Sequence, residues 1–108
     1  MENITSYHFI WDDNVCLVPI SLLLLTKPII HASKQAGANL KSLPINLQPG
    51  FVLGRTSRVM HAMNNNIILP PIIIKKYNTS YYEILDGRHR VAMSLANHYT
   101  HIPAIIQS

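Results

Sequence analysis

Cysteine is almost absent. Cys16 stands alone, so no internal disulfide can form, and a reducing compartment is the better expectation. It lies in an apolar run, where a buried inert thiol is expected rather than a reactive one. Charge is also scarce, at 13% of residues against 48% hydrophobic, which excludes a disordered chain. Acids are the rarer sign: five Asp plus Glu face nine Lys plus Arg, for a formal +4, a balance that fits a polyanionic partner without demanding one. No apolar run is long enough for a membrane. The stretch Val15 to Leu25 is short, contains Pro19 and is followed by Lys27-Pro28. It also lies too far from a basic N-terminus to read as a signal peptide, so a cytoplasmic protein is expected. No repeat, low-complexity block or linker divides the chain. A single domain over 1–108 follows, with its core over about 14–108 and residues 1–13 as an N-terminal arm or edge strand.

Metal-ligand spacing is lacking too. His98 and His101 are separated by a loop after Asn97, and Cys16 offers no partner, so no metal site is expected from protein ligands. Ser94 lies on an apolar helix without the strand-to-helix elbow a serine hydrolase needs.

What is present is concentrated in one stretch, Tyr81 to Ile106. Tyr81 to Leu85 alternates and is rich in aromatic and β-branched residues, the pattern of a half-buried strand. Asp86-Gly87 breaks it. Val91, Ala92, Leu95 and Ala96 recur at helical spacing, and Ile102 to Ile106 reads as a short apolar strand. Arg88, His89 and Arg90 therefore fall in the first helical turn, where backbone N–H groups are free. Cations there do not complement the helix dipole; their natural complement is an anion, most plausibly phosphate. Gly87 lets backbone approach such an anion, Arg90 can contact it in bidentate fashion, and His89 can donate to it or transfer protons near neutral pH. Asp86 is read first as a helix cap or as the group positioning His89 or Arg90, with water-mediated Mg²⁺ binding as the other option.

The remaining chain supplies neighbours. Tyr7, Phe9 and Trp11 alternate, as a short strand or an aromatic lid would, and Asp12-Asp13-Asn14 marks a turn. Val15 to Val18 is a strand, and Pro19 opens a short helical segment. Ile29 to Leu40 is ambiguous: His31 to Ala38 could make two helical turns before Gly37 or Asn39 stops them. Leu43 to Leu47 could be extended, and Gln48-Pro49-Gly50 reads as a turn. Arg55 to Asn66 is helical, with Val59, Met60 and Met63 as its apolar stripe and Thr56 or Ser57 as its cap. Pro70-Pro71 leads into Ile72-Ile73-Ile74, a fully buried strand, and Lys75 to Ser80 forms a hairpin loop. The tyrosines Tyr77, Tyr81, Tyr82 and Tyr99 suit either base stacking or cross-strand packing.

The unit Asp86-Gly87-Arg88-His89-Arg90-Val91-Ala92, between a strand and a small-residue helix, resembles the signature of the ParB/sulfiredoxin-like superfamily. The likeness extends back through Pro70 to Ile74 and Arg58 to Met63, and covers about half the chain. It implies an α/β (α+β) domain, a small mixed sheet flanked by helices. It implies also that the Arg55–Asn66 helix packs beside the signature helix and turns its N-terminus toward the same pocket. Arg58 then matches the basic residue near nucleotide phosphate, with Arg55 one turn earlier as its substitute. Residues Ile29 to Gln48 match no part of the pattern and read as an insertion. Where sulfiredoxin carries its reactive cysteine, Arg88 stands, so a sulfinic-acid reductase is not expected. The form is closer to the ParB-type nuclease, nucleotidase and free-serine-kinase branch, which uses a nucleoside triphosphate (ATP or CTP) with Mg²⁺.

The leading expectation is therefore phosphate-ester chemistry by an NTP-dependent or nucleic-acid-cleaving hydrolase. His89, Asp86 and Arg90 would be catalytic, and Gly87, Arg88, His89, Arg90, Arg55 and Arg58 would hold the phosphates. The competing class is a non-catalytic module in which nucleotide is a conformational ligand and the basic surface holds DNA or RNA. A toxin domain of a larger effector is a third reading, resting on small size, basic charge and a nuclease-like core.

Overall fold

The β-branched run at Ile72 forms one of the two strands that are paired on both sides. A computed structural model describes the backbone of residues 3–42 and 55–108, and the side chains of these except 36–42 and 55–57. In it the elements run β1 (Val15–Pro19), a single helical turn Ile20–Leu22, α1 (Lys27–Ser42), α2 (Arg55–Asn64), β2 (Ile72–Lys76), β3 (Tyr82–Asp86), α3 (Arg88–Ala96) and β4 (His101–Gln107). The four strands form one mixed sheet in the order β1-β4-β2-β3. β2 pairs parallel with β4 and antiparallel with β3, while β1 adds antiparallel to β4. The expected architecture, a small mixed sheet with helices, is the one observed.

Position in the sheet follows from side-chain chemistry. Ile72 and Ile74 of β2 and Ile102 and Ala104 of β4 are fully buried, and these two strands are the inner pair. Each such isoleucine contributes roughly 2 kcal/mol by leaving water. Val91, Ala92, Met93 and Ala96 of α3 complete the core against them. α1 and α2 both pack on α3, which itself lies on β2. The small residues of α3 allow two helices to approach it at once.

Three expectations need correction. Ile29 to Leu40 is not ambiguous and is not limited to two helical turns; it lies in the 16-residue helix α1, which runs through Gly37 and Asn39 to Ser42. A helical glycine costs only about 1 kcal/mol, and packing against α3 outweighs that. β3 is shifted one residue, to Tyr82–Asp86, because Tyr81 belongs to the hairpin turn held by Asn78, whose Oδ1 accepts from the N–H of Ser80 and Tyr81 at 2.8 Å each. Cys16 is half-buried rather than buried, its Sγ directed at the Ala104 carbonyl at 3.7 Å. The expected extended segment at Leu43 to Leu47 and the turn at Gln48 to Gly50 lie outside the described residues.

α2 and α3 end in the same way. Asn66 (φ 56°) and His98 (φ 60°) take the left-handed conformation, and in each case the next residue donates five residues back: Ile67 N–H to the Ala62 carbonyl at 2.8 Å, Tyr99 N–H to the Ser94 carbonyl at 3.0 Å. This motif satisfies carbonyls that a helix end would leave open. Between the two ends Asn97 acts as a tie. Its Nδ2 lies 3.0 Å from the Met60 sulfur, 3.5 Å from that of Met63 and 3.2 Å from the Met93 carbonyl. Asn97→Ala is expected to cost about 1 kcal/mol of unfolding free energy in a urea titration, the net worth of such bonds. An unchanged midpoint would mean that apolar packing alone holds α2 to α3.

Candidate phosphate-binding site

β3 delivers the chain to the site and Gly87 turns it. Gly87 is the residue before α3, with φ 107°, a conformation side chains rarely adopt. A Cβ there would collide with the Ile72 side chain, 2.8 Å from its Cβ, and lie 3.1 Å from an Arg90 nitrogen. The glycine is thus required twice, by its dihedral and by the approach of β2. Its carbonyl accepts the Val91 N–H at 3.0 Å and opens the helix.

Asp86 does not cap this helix. No side chain does, and the first turn holds no acid. With the turn already made by Gly87, the Asp86 carboxylate projects outward and meets Arg90 instead, Oδ2 to Nη2 3.3 Å across one helical turn. Of the roles read from the sequence, positioning Arg90 is therefore the one seen. Asp86 is 68% exposed, so the pair is worth at most a few tenths to about 1 kcal/mol. The N–H groups of the first turn keep no intrahelical acceptor.

Arg90 is the half-buried cation of the group, its side chain 17% exposed. Its Nη2 donates to the Pro71 carbonyl at 3.4 Å and to Asp86 at 3.3 Å, both long bonds, and its Nε is buried with no partner. A guanidinium with two stretched bonds and one orphaned donor is under-satisfied where it sits, and buried donors are ordinarily paired. Tyr7 is also close by. Its buried hydroxyl donates to the Pro70 carbonyl at 2.7 Å; burial lifts the phenol well above its ordinary pKa, and the Arg90 charge opposes that lift.

A pocket of about 330 Å³ opens in front of these groups, lined by Arg58, Val59, Asp86, Gly87, His89 and Arg90. That volume lies in the range of small-molecule sites. α2 turns toward it as expected, contributing Arg58 from its exposed side and Val59 from its packed side. Arg88 does not line the pocket; it faces solvent, as the helical twist places it away from its neighbours. Arg55 begins α2, but its side chain lies outside the described residues. No group of three or more His, Cys, Asp or Glu gathers to hold a metal among the described residues.

Two contributors carry no signal in the sequence. The sequence marks Tyr7 only by its period-two spacing with Phe9 and Trp11. Residues 3–12 form no strand: Tyr7 is buried, whereas Trp11 is 60% exposed. Pro71 reads as a lead-in to β2, and nothing in a Pro-Pro dipeptide announces that its second carbonyl will receive a guanidinium.

Comparison with known families decides the relationship. The model of the ParB N-terminal domain matches residues 32–108. The chain belongs to the ParB N-terminal domain family. The matched stretch includes the Asp86–Ala92 turn, of which Asp86, Gly87, His89 and Arg90 line the pocket. Among solved structures, the chain is similar to the C-terminally truncated chromosome-partitioning protein ParB from Caulobacter crescentus, crystallised in complex with CTP-gamma-S. The TM-score is 0.53 at 14% identity, over 87% of this chain and 44% of that one. At that identity the likeness is one of fold, and the chain spans under half the length of the ParB structure. No curated protein sequence matches it. No helix among the described residues is long and apolar enough to cross a membrane.

Proposed function

We propose that this ParB-type domain binds the phosphates of a nucleotide in the pocket between α2 and α3. The observation that carries the proposal is Arg90: a largely buried guanidinium with an orphaned Nε, facing a cavity at an uncapped helix start. Phosphate oxygens would take up those donors, with Arg58 closing from the opposite helix and Gly87 leaving room for the approach. CTP is the nucleotide of first choice, since the structurally similar Caulobacter ParB was crystallised with CTP-gamma-S. Asp86, the carboxylate lining the pocket, suits a Mg²⁺ shared with the phosphates. The formal +4 of the chain suits DNA as a second partner of a single 1–108 domain.

A hydrolytic reading has one observation in its favour, the His89 imidazole on the pocket wall. A general base is normally oriented by a further group, and Asp86 is engaged by Arg90 instead. Binding without turnover is therefore the stronger reading. The test is equilibrium dialysis with CTP, ATP, GTP and UTP in the presence of Mg²⁺, run beside a phosphate-release assay. The expected result is saturable CTP binding with no phosphate release above background. Release that disappears in His89→Ala while binding persists would establish the hydrolase instead. Absence of binding to any nucleotide would refute both.

A further inference from the structure

The stretch that matches the family begins at residue 32, yet a residue before it bonds to the proline step on which the pocket's central arginine rests. Residues 5–9 cross the molecule as a strap. At one end the N–H groups of Thr100 and His101 donate to the Thr5 carbonyl at 3.1 and 2.9 Å. At the other the Leu69 N–H donates to the His8 carbonyl at 2.9 Å. Between these anchors Tyr7 is 1% exposed and belongs to the main core. Its hydroxyl ends on Pro70.

The Pro70-Pro71 dipeptide has no N–H to donate, so its two carbonyls are its only hydrogen-bonding handles. Tyr7 holds the first at 2.7 Å and Arg90 the second at 3.4 Å. Pro71 runs directly into Ile72, the residue against which Gly87 is seated. The strap, the proline step and the signature turn therefore form one continuous contact path that ends on the guanidinium. The bond from Tyr7 is short and internal; those from Arg90 are long. The carbonyl frame is thus fixed by the tyrosine, and the arginine rests on it.

We propose that Tyr7 is a positioning residue of the pocket, its hydroxyl fixing the Pro70-Pro71 carbonyls on which the Arg90 guanidinium is aligned toward an incoming phosphate. The assignment rests on the pocket being an anion site, and extends that site to a segment the family match does not include. Tyr7 does not touch the phosphate; it acts through Arg90.

Tyr7→Phe is the test, because the ring still fills the core and only the hydroxyl is lost. Titration with inorganic tripolyphosphate and with CTP should give an affinity about three- to tenfold weaker than wild type, the range one hydrogen bond is worth. In an Arg90→Lys background, where the planar fork is gone but charge remains, the same change should have almost no further effect. Equal weakening in both backgrounds, or wild-type affinity for Tyr7→Phe, would overturn the assignment. A second measurement needs no ligand. In the free protein the buried Arg90 Nε–H, identified by its loss in Arg90→Lys, should shift and exchange with water several-fold faster in Tyr7→Phe. An unchanged resonance sinks the role of Tyr7 whatever the pocket binds. Wild-type affinity in Arg90→Lys, by contrast, would count against the pocket itself.

Discussion

Arg90→Ala is expected to weaken CTP binding about 10- to 100-fold while leaving the protein folded. Hydrogen bonds to a charged group are worth about 1.5–3 kcal/mol each, and every 1.4 kcal/mol is a factor of ten. The lower end applies where only one donor reaches the phosphate and the upper end where the contact is bidentate. In the free protein the loss is small: the Pro71 carbonyl and an exposed Asp86 carboxylate each give up a long bond, and water replaces it at Asp86. Arg90→Lys should recover only part of the affinity, since an ammonium keeps the charge but not the planar fork. Arg58→Ala, on an exposed helix face, should cost less than Arg90→Ala because its charge is screened by solvent. Isothermal titration of the three variants beside wild type checks the order. An Arg90→Ala protein that binds CTP as tightly as wild type would remove the residue from the site.

Gly87→Ala is expected to be the most damaging single methyl in the signature. A side chain at φ 107° is strained by about 1–3 kcal/mol. Forcing a methyl against Ile72 adds about 1–3 kcal/mol of overpacking, because β2 is the inner strand and cannot retreat. Together these lower the unfolding free energy by about 2–6 kcal/mol, a large share of what a small domain has. The midpoint of thermal unfolding should fall by at least about 8 °C, using the usual 4–8 °C per kcal/mol for a domain of this size. Affinity for CTP in whatever fraction remains folded should fall too, since the new methyl points at an Arg90 nitrogen 3.1 Å away. A midpoint within a degree or two of wild type would show that β2 and the turn are looser than their packing indicates.

The same glycine shows why this part of the fold was legible in the sequence. Strand, break and helix are each written in local pattern: alternation up to Leu85, Asp86-Gly87, then small residues at helical spacing from Val91. The β-branched run at Ile72 to Ile74 pointed to an inner strand for the same reason, although Ile73 is half-buried rather than buried. α1 was not legible because its pattern is interrupted: Gly37 and Asn39 argue locally for a stop, and what overrides them is the surface of α3, distant in sequence.

The site was legible in part. Asp86, Gly87, His89, Arg90 and Arg58 do surround one pocket. Adjacent cations look alike in a string, which puts Arg88 in the expected set, whereas a helix rotates each residue about 100° from the last and turns this one to solvent. The Asp86 cap failed for a related reason. A capping residue must sit at the helix boundary, and the positive φ of Gly87 gives that boundary to the glycine. Tyr7 was hidden by distance along the chain, its bond to Pro70 spanning 63 residues.

The proposed function requires a phosphoryl group lying against Arg90 and the first turn of α3. A crystal structure grown with CTP and Mg²⁺ would test that most directly. The predicted result is triphosphate oxygens within hydrogen-bond distance of the Arg90 guanidinium and of the backbone N–H groups at Arg88 to Arg90, with Arg58 across from them. Nucleotide seated elsewhere, with Arg90 still resting on Pro71 and Asp86, would contradict it.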